Sequence, residues 1–245
     1  MPDAEPTTSP VDERAPVRWG FGDAAAGWVV AQFGGMLASS LVLAIKGLEP
    51  DQLDDLSLGW VAVAQLGLWL GLLGVPWLAT ELKGNGLVRD LRLRFARSDA
   101  WVGALWGLVS QWGILVLYLP AFWLTSVDVD EFNAPARALS DKATDAVGVV
   151  LLVLIVGLGA PIVEEIFYRG LMQRSLVRRL GRVPGIVVTA VIFGASHFEW
   201  LQFPALTAFG LVLGYLADRY ERLGPAVVAH MVFNLAAVVS LVSGS

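Results

Sequence analysis

Eighteen consecutive residues, Ala146 to Val163, carry no charge, and the run ends on two adjacent glutamates, Glu164 and Glu165. At about 1.5 Å of rise per residue, such a run nearly crosses the ~30 Å hydrocarbon core of a bilayer as a helix. Uncharged runs of 22 to 24 residues occupy 24–45, 58–79 and 100–123, and shorter ones punctuated by Pro and Gly occupy 184–198, 204–217 and 225–243. Only 16% of the residues are charged, 56% are hydrophobic and the mean hydropathy is +0.64, whereas a soluble domain carries about 25% charge. The chain therefore reads as an integral membrane protein of the all-α class, a polytopic transmembrane helix bundle with about seven spans and up to eight helices.

Residues 1–20, rich in acid and Pro, read as a disordered tail. They lack the basic and short apolar regions of a signal peptide. Residues 21–99 read as a two-helix N-terminal membrane region, and 100–245 as the part that carries the chemistry. No internal repeat of the kind that builds inverted-repeat transporters is visible.

Basic residues are retained on the cytoplasmic side of a membrane. Lys83, Arg89, Arg92, Arg94 and Arg97 fall in one connection, and Arg169, Arg174, Arg178, Arg179 and Arg182 in another. With Arg14, Arg18, Arg219 and Arg222 they fix one face as cytoplasmic, leaving Lys46, Arg137 and Lys142 outside. Seven spans with the amino terminus in the cytoplasm satisfy this split, and the connections near 49–55 and 128–145 are acid-rich. Fourteen Arg against three Lys, with abundant Ala, Gly and Val, point to a bacterial plasma membrane. No basic tract for nucleic acid is present, and with no Cys the chain has neither disulfides nor thiolate metal ligands. The partners expected are membrane lipid and a peptide or protein substrate; oligomeric state is left unassigned.

Ionisable groups inside spans are costly, and each is by default a functional hypothesis. The fourth span ends in Glu164 and Glu165; the two histidines of the chain, His197 and His230, both fall in later spans, and Asn234 follows His230 by four residues. Residues four apart share a helix face, so Glu165 reaches Arg169, and His230 and Asn234 point the same way. Glu164, about 100° round the helix from Glu165, is left free to act on something else. A Glu and two imidazoles converging in a dry pocket perform general acid–base chemistry on water. An amide such as that of Asn234 stabilises an oxyanion, and together these groups suit hydrolysis of an amide bond. A proton relay through Glu164, His197 and His230 in a coupled transporter is the competing reading, and an inactive membrane scaffold a third.

The strings EEIFYR (164–169), FGASH (193–197) and HMVFN (230–234) resemble the EExxxR, FxxxH and HxxxN motifs of the CPBP family, the CAAX protease and bacteriocin-processing intramembrane endopeptidases, also called Abi proteins. The resemblance covers about residues 100–243. It implies an all-helical membrane enzyme that cleaves peptide bonds within or close to the bilayer. It further implies that Glu164 activates water with the help of His197, that His230 and Asn234 line the oxyanion site, and that Glu165 with Arg169 holds its helix in place beside Phe193. Such enzymes are named metalloproteases, and Glu164, His197 and His230 make a His2Glu set for zinc with one open position. The HExxH string is absent, and a metal-free, glutamate-activated water is the preferred alternative. Counted along the helices, Glu164 and His230 fall near the cytoplasmic face and His197 about 18 Å inside it, so the three meet only if a helix is tilted or starts deeper than the apolar run indicates.

Overall fold

The computed structural model describes residues 16–124 and 129–243. Their main helices are α1 (Phe21–Lys46), α2 (Leu58–Lys83), α3 (Arg97–Leu124), α4 (Val129–Ser140), α5 (Ala146–Leu180), α6 (Arg182–Ala195), α7 (Phe203–Arg219) and α8 (Gly224–Ser243). No strand occurs among the described residues. The long helices α1, α2, α3, α5 and α8 are apolar enough to cross a membrane. At the expected fifth and sixth spans, 184–198 and 204–217, lie α6 and α7, of 14 and 17 residues. These are about 21 and 26 Å long, short of a full crossing. Together they form a hairpin that enters the bundle and returns to the same end. The residues expected as an outer connection at 128–145 hold the amphipathic α4 instead, although 125–128 lie outside the described residues.

Helix α1 packs along α2, α3 along α8 and α6 along α7, while α5 runs through the middle and touches α1, α2, α6, α7 and α8. Small residues let the α1–α2 backbones approach closely. A Cβ at Gly34 would lie 2.5 Å from the Gly67 carbonyl oxygen, and one at Gly71 would strike the Ala31 backbone. Gly71→Leu is therefore expected to cost about 1–3 kcal/mol or more through overpacking, read as a lower unfolding midpoint in detergent. Gly74→Leu, with open space around it, should change that midpoint little.

Helix α5 is 35 residues long, about 52 Å. It starts on Asp145, whose carboxylate accepts from the Gly148 N–H at 2.8 Å, and stops where Gly181 takes φ 90°. Pro161 sits inside it without an amide hydrogen, and the turn before it, Val153–Gly159, widens to π-helix. That widening accommodates the break in the hydrogen-bond ladder. A second π-helical stretch, Glu165–Gln173, has all nine of its residues buried. The fourth span thus does not end at Glu164. Arg169, counted from sequence among the connecting residues, lies in the core at 1% exposure.

The lipid-facing surface carries large apolar side chains such as Leu37, Leu70 and Trp123, as a hydrocarbon solvent permits. At the opposite extreme, Trp19 is buried at 2% and donates its indole N–H to Asp90 at 2.7 Å. Of the tail expected at 1–20, residues 1–15 lie outside the described residues. The basic connections gather at one end of the bundle: Arg222 grips the Asp99 carboxylate at 2.6 to 3.0 Å, Arg182 pairs with Asp218, and the Leu223 and Gly224 amides donate to the Arg92 and Arg94 carbonyls. Asp99 in turn pushes the Arg222 guanidinium pKa up.

Candidate active site

The two adjacent glutamates of α5 point to different partners, as a 100° step requires. Glu165 is fully buried. Its Oε1 accepts from Arg169 Nη1 at 3.1 Å and from His230 Nδ1 at 2.9 Å. Arg169 also donates to the Gly210 carbonyl of α7 at 3.1 Å and stacks its guanidinium 4.4 Å above the Phe193 ring of α6. One buried ion pair therefore binds α5, α6, α7 and α8 into a single site. A charge without such partners would be untenable at this depth.

Glu164 turns to the other side of the same imidazole. Its Oε2 is buried without a hydrogen-bond partner and lies 4.0 Å from His230 Nε2. A carboxylate only accepts, so the contact with Glu165 assigns the ring proton of His230 to Nδ1. Nε2 then faces Glu164 with a lone pair. The gap exceeds a direct hydrogen bond and is close to the separation bridged by one water that donates to both atoms.

Phe193, buried at 0% exposure, is the hub of the site. His197 and His230 flank its ring at 4.9 and 5.8 Å between centroids, and Tyr168 meets it edge-on at 5.2 Å. His197 Nδ1 donates to the Phe193 carbonyl at 2.8 Å, which leaves Nε2 unengaged at an exposed position. The depth mismatch counted from sequence disappears because α5 continues past Glu164 and the short α6 places His197 at its tip. Asn234 is set apart from the carboxylates. Its amide donates at 2.8 Å to the carbonyl of Val156, two helical turns before Glu164, in the π-helical stretch where the backbone ladder is disturbed.

Several neighbours have no motif to announce them. Phe209 packs edge-on to His230 at 5.3 Å, and Trp28 of α1 donates to Ser196 at 2.8 Å, beside His197. Tyr168 follows Glu164 by four residues, so the spacing that paired Glu165 with Arg169 also marks it; the contacts of Trp28, Phe209 and Gly210 join distant segments and leave no local signal. Among the described residues, no three His, Asp or Glu side chains gather as a metal-ligand set. A cavity of about 670 Å³ between α1, α2 and α4 reaches Phe198 and is lined in part by Gln32, Ser39, Ser40 and Gln65.

Residues 146–236, which contain all three motifs, match the family described as type II CAAX prenyl endopeptidase Rce1-like. Over 217 residues the chain is 23% identical to the Bacillus subtilis protein named "Putative membrane peptidase YdiL", covering 86% of this chain and 85% of that protein. No solved structure matches the chain. With the motif residues in one helical site and that match spanning them, the chain is similar to the membrane proteases of the CPBP type.

Proposed function

We propose that the protein is an intramembrane endopeptidase that hydrolyses a peptide bond of a membrane-associated peptide or protein with a water held between Glu164 and His230. The observation that carries this reading is the buried, unpartnered Glu164 Oε2 standing 4.0 Å from His230 Nε2. A water there donates one hydrogen to each atom and presents its lone pair to a scissile carbonyl carbon. As the oxygen attacks, its proton passes to Glu164, which later delivers it to the departing amide nitrogen. Glu165 and Arg169 hold the His230 ring in the required tautomer. The geometry favours His230 over His197 as the direct partner of Glu164. His197, exposed and with Nε2 unengaged, is the imidazole available to the substrate.

The cavity ending at Phe198 supports entry of an extended peptide between the α1–α2 pair and α4, with the basic end of the bundle in the cytoplasm of a bacterial cell. Gln32, Ser39, Ser40 and Gln65 supply hydrogen-bonding groups to an unfolded backbone, which lipid cannot do. Comparison of membrane-protein fragments from cells carrying the wild type and Glu164→Gln tests the reading. Fragments that disappear in the variant identify the substrate; an identical fragment set overturns the assignment.

The chemistry is assigned here to the carboxylate, because Glu164 Oε2 and His230 Nε2 stand at a separation that one water bridges. Treatment of the purified protein with a strong zinc chelator should leave cleavage unchanged within about twofold, a free-energy change of about 0.4 kcal/mol. Loss of cleavage on chelation that is restored by added zinc would overturn the metal-free mechanism while leaving the protease intact.

A further inference from the structure

A second cavity, of about 290 Å³, lies between α5, α7 and the segment around Arg92, on the basic side of the Glu165–Arg169 pair. Its cations are compensated unequally. Arg92 pairs with Glu221 at 3.2 Å, Arg222 with Asp99 at 2.6 Å, and Arg178 donates to the Trp19 carbonyl at 2.8 Å while stacking on the Trp19 ring. Of the carboxylates in the wall, Asp218 is held by Arg182 and Glu221 by Arg92. Arg174 has no ion-pair partner among the described residues.

Three buried side-chain atoms of the lining residues lack any hydrogen-bond partner: the Nε–H donors of Arg169 and Arg174 and the Oε1 acceptor of Gln173. Arg169 and Gln173 are 99% and 97% buried. Unmet donors and acceptors at this depth are expensive and rare. Two N–H groups on guanidinium carriers call for an oxyanion, and the amide oxygen between them in sequence calls for a hydroxyl. A phosphodiester bearing a hydroxylated headgroup supplies both, and basic pockets between transmembrane helices take up such headgroups.

We infer that this cavity binds the phosphate of an anionic phospholipid with a hydroxyl-bearing headgroup, through Arg169, Gln173 and Arg174. The same chemistry is offered by a free phosphate ester, and the test separates the two. The full-length protein is reconstituted in nanodiscs of equal parts phosphatidylglycerol and phosphatidylcholine, and the lipid retained on release into the gas phase is counted by native mass spectrometry. The wild type should hold phosphatidylglycerol preferentially. Arg174→Gln should lower its retention about fivefold, the worth of one basic contact of ~1 kcal/mol.

Arg174→Lys, which keeps the charge, should retain part of the preference. Arg179→Gln, which removes an arginine outside the cavity lining, should retain all of it. Glycerol phosphate added at millimolar concentration should not displace the lipid; displacement assigns the same oxyanion site to the free ester. A wild type with no preference, or equal losses in Arg174→Gln and Arg179→Gln, overturns the site.

Discussion

Glu164→Gln is expected to lower the cleavage rate by about 10³-fold, within the range general acid–base catalysis contributes, while the protein inserts and unfolds as the wild type does. Glutamine is nearly isosteric with glutamate and still offers an acceptor to a water, but it cannot take that water's proton. The structural cost should be small, because Glu164 Oε2 has no protein partner to lose and the side chain is 15% exposed. The measurement is cleavage of a substrate identified by its disappearing fragment, in parallel with the thermal unfolding midpoint. A variant within tenfold of the wild-type rate refutes the assignment of the base, whatever else the site does.

Arg169→Met should have the opposite signature, a loss of fold before any loss specific to catalysis. It leaves the Glu165 carboxylate buried at zero exposure with His230 as its remaining partner. Breaking a buried pair by removing one member costs about 3–5 kcal/mol. The exposed pair between Arg137 and Asp130 at 2.7 Å is the control, since surface pairs contribute about 1 kcal/mol or less. The double variant Glu165→Leu/Arg169→Met removes both charges and should regain part of the lost stability, yet stay inactive because the His230 ring loses the acceptor that sets its tautomer. Equal unfolding midpoints for Arg169→Met and Arg137→Ala would show that the pair does not hold the four helices together.

The site was legible from sequence wherever its geometry is local. The pairing of Glu165 with Arg169 follows from a four-residue spacing, and two adjacent carboxylates must diverge by the same helical rule. What misled was the end of the fourth span. Glu164, Glu165 and Arg169 look like a solvated helix terminus because charge in a sequence signals water; here Glu165 and Arg169 neutralise each other within α5, and the groups that let them stay buried, His230 of α8 and the Gly210 carbonyl of α7, are not visible in α5 alone. The short α6 was hidden for a related reason. Its apolar run continues to Phe198, where the residue takes φ 57° and the chain turns, and hydrophobicity alone does not report a turn inside a membrane. The amphipathic α4 was overlooked because its surroundings are acid-rich. Contacts such as Gln202 with the Phe132 carbonyl at 2.8 Å close the tip of the α6–α7 hairpin and belong to tertiary structure.

The closely packed α1–α2 pair bears on how the protein is made. Its interface of Ala31, Gly34, Gly67 and Gly71 is complete within the first hundred residues, so the pair can assemble in the membrane while the rest of the chain is still on the ribosome. When α5 follows, it meets a surface already formed: Phe167 lies where a side chain at Gly27 would be, and the Trp69 ring covers Gly159. The helices without a motif thereby form the surface that receives the helix carrying two glutamates, and through Trp28 they also reach Ser196 beside His197.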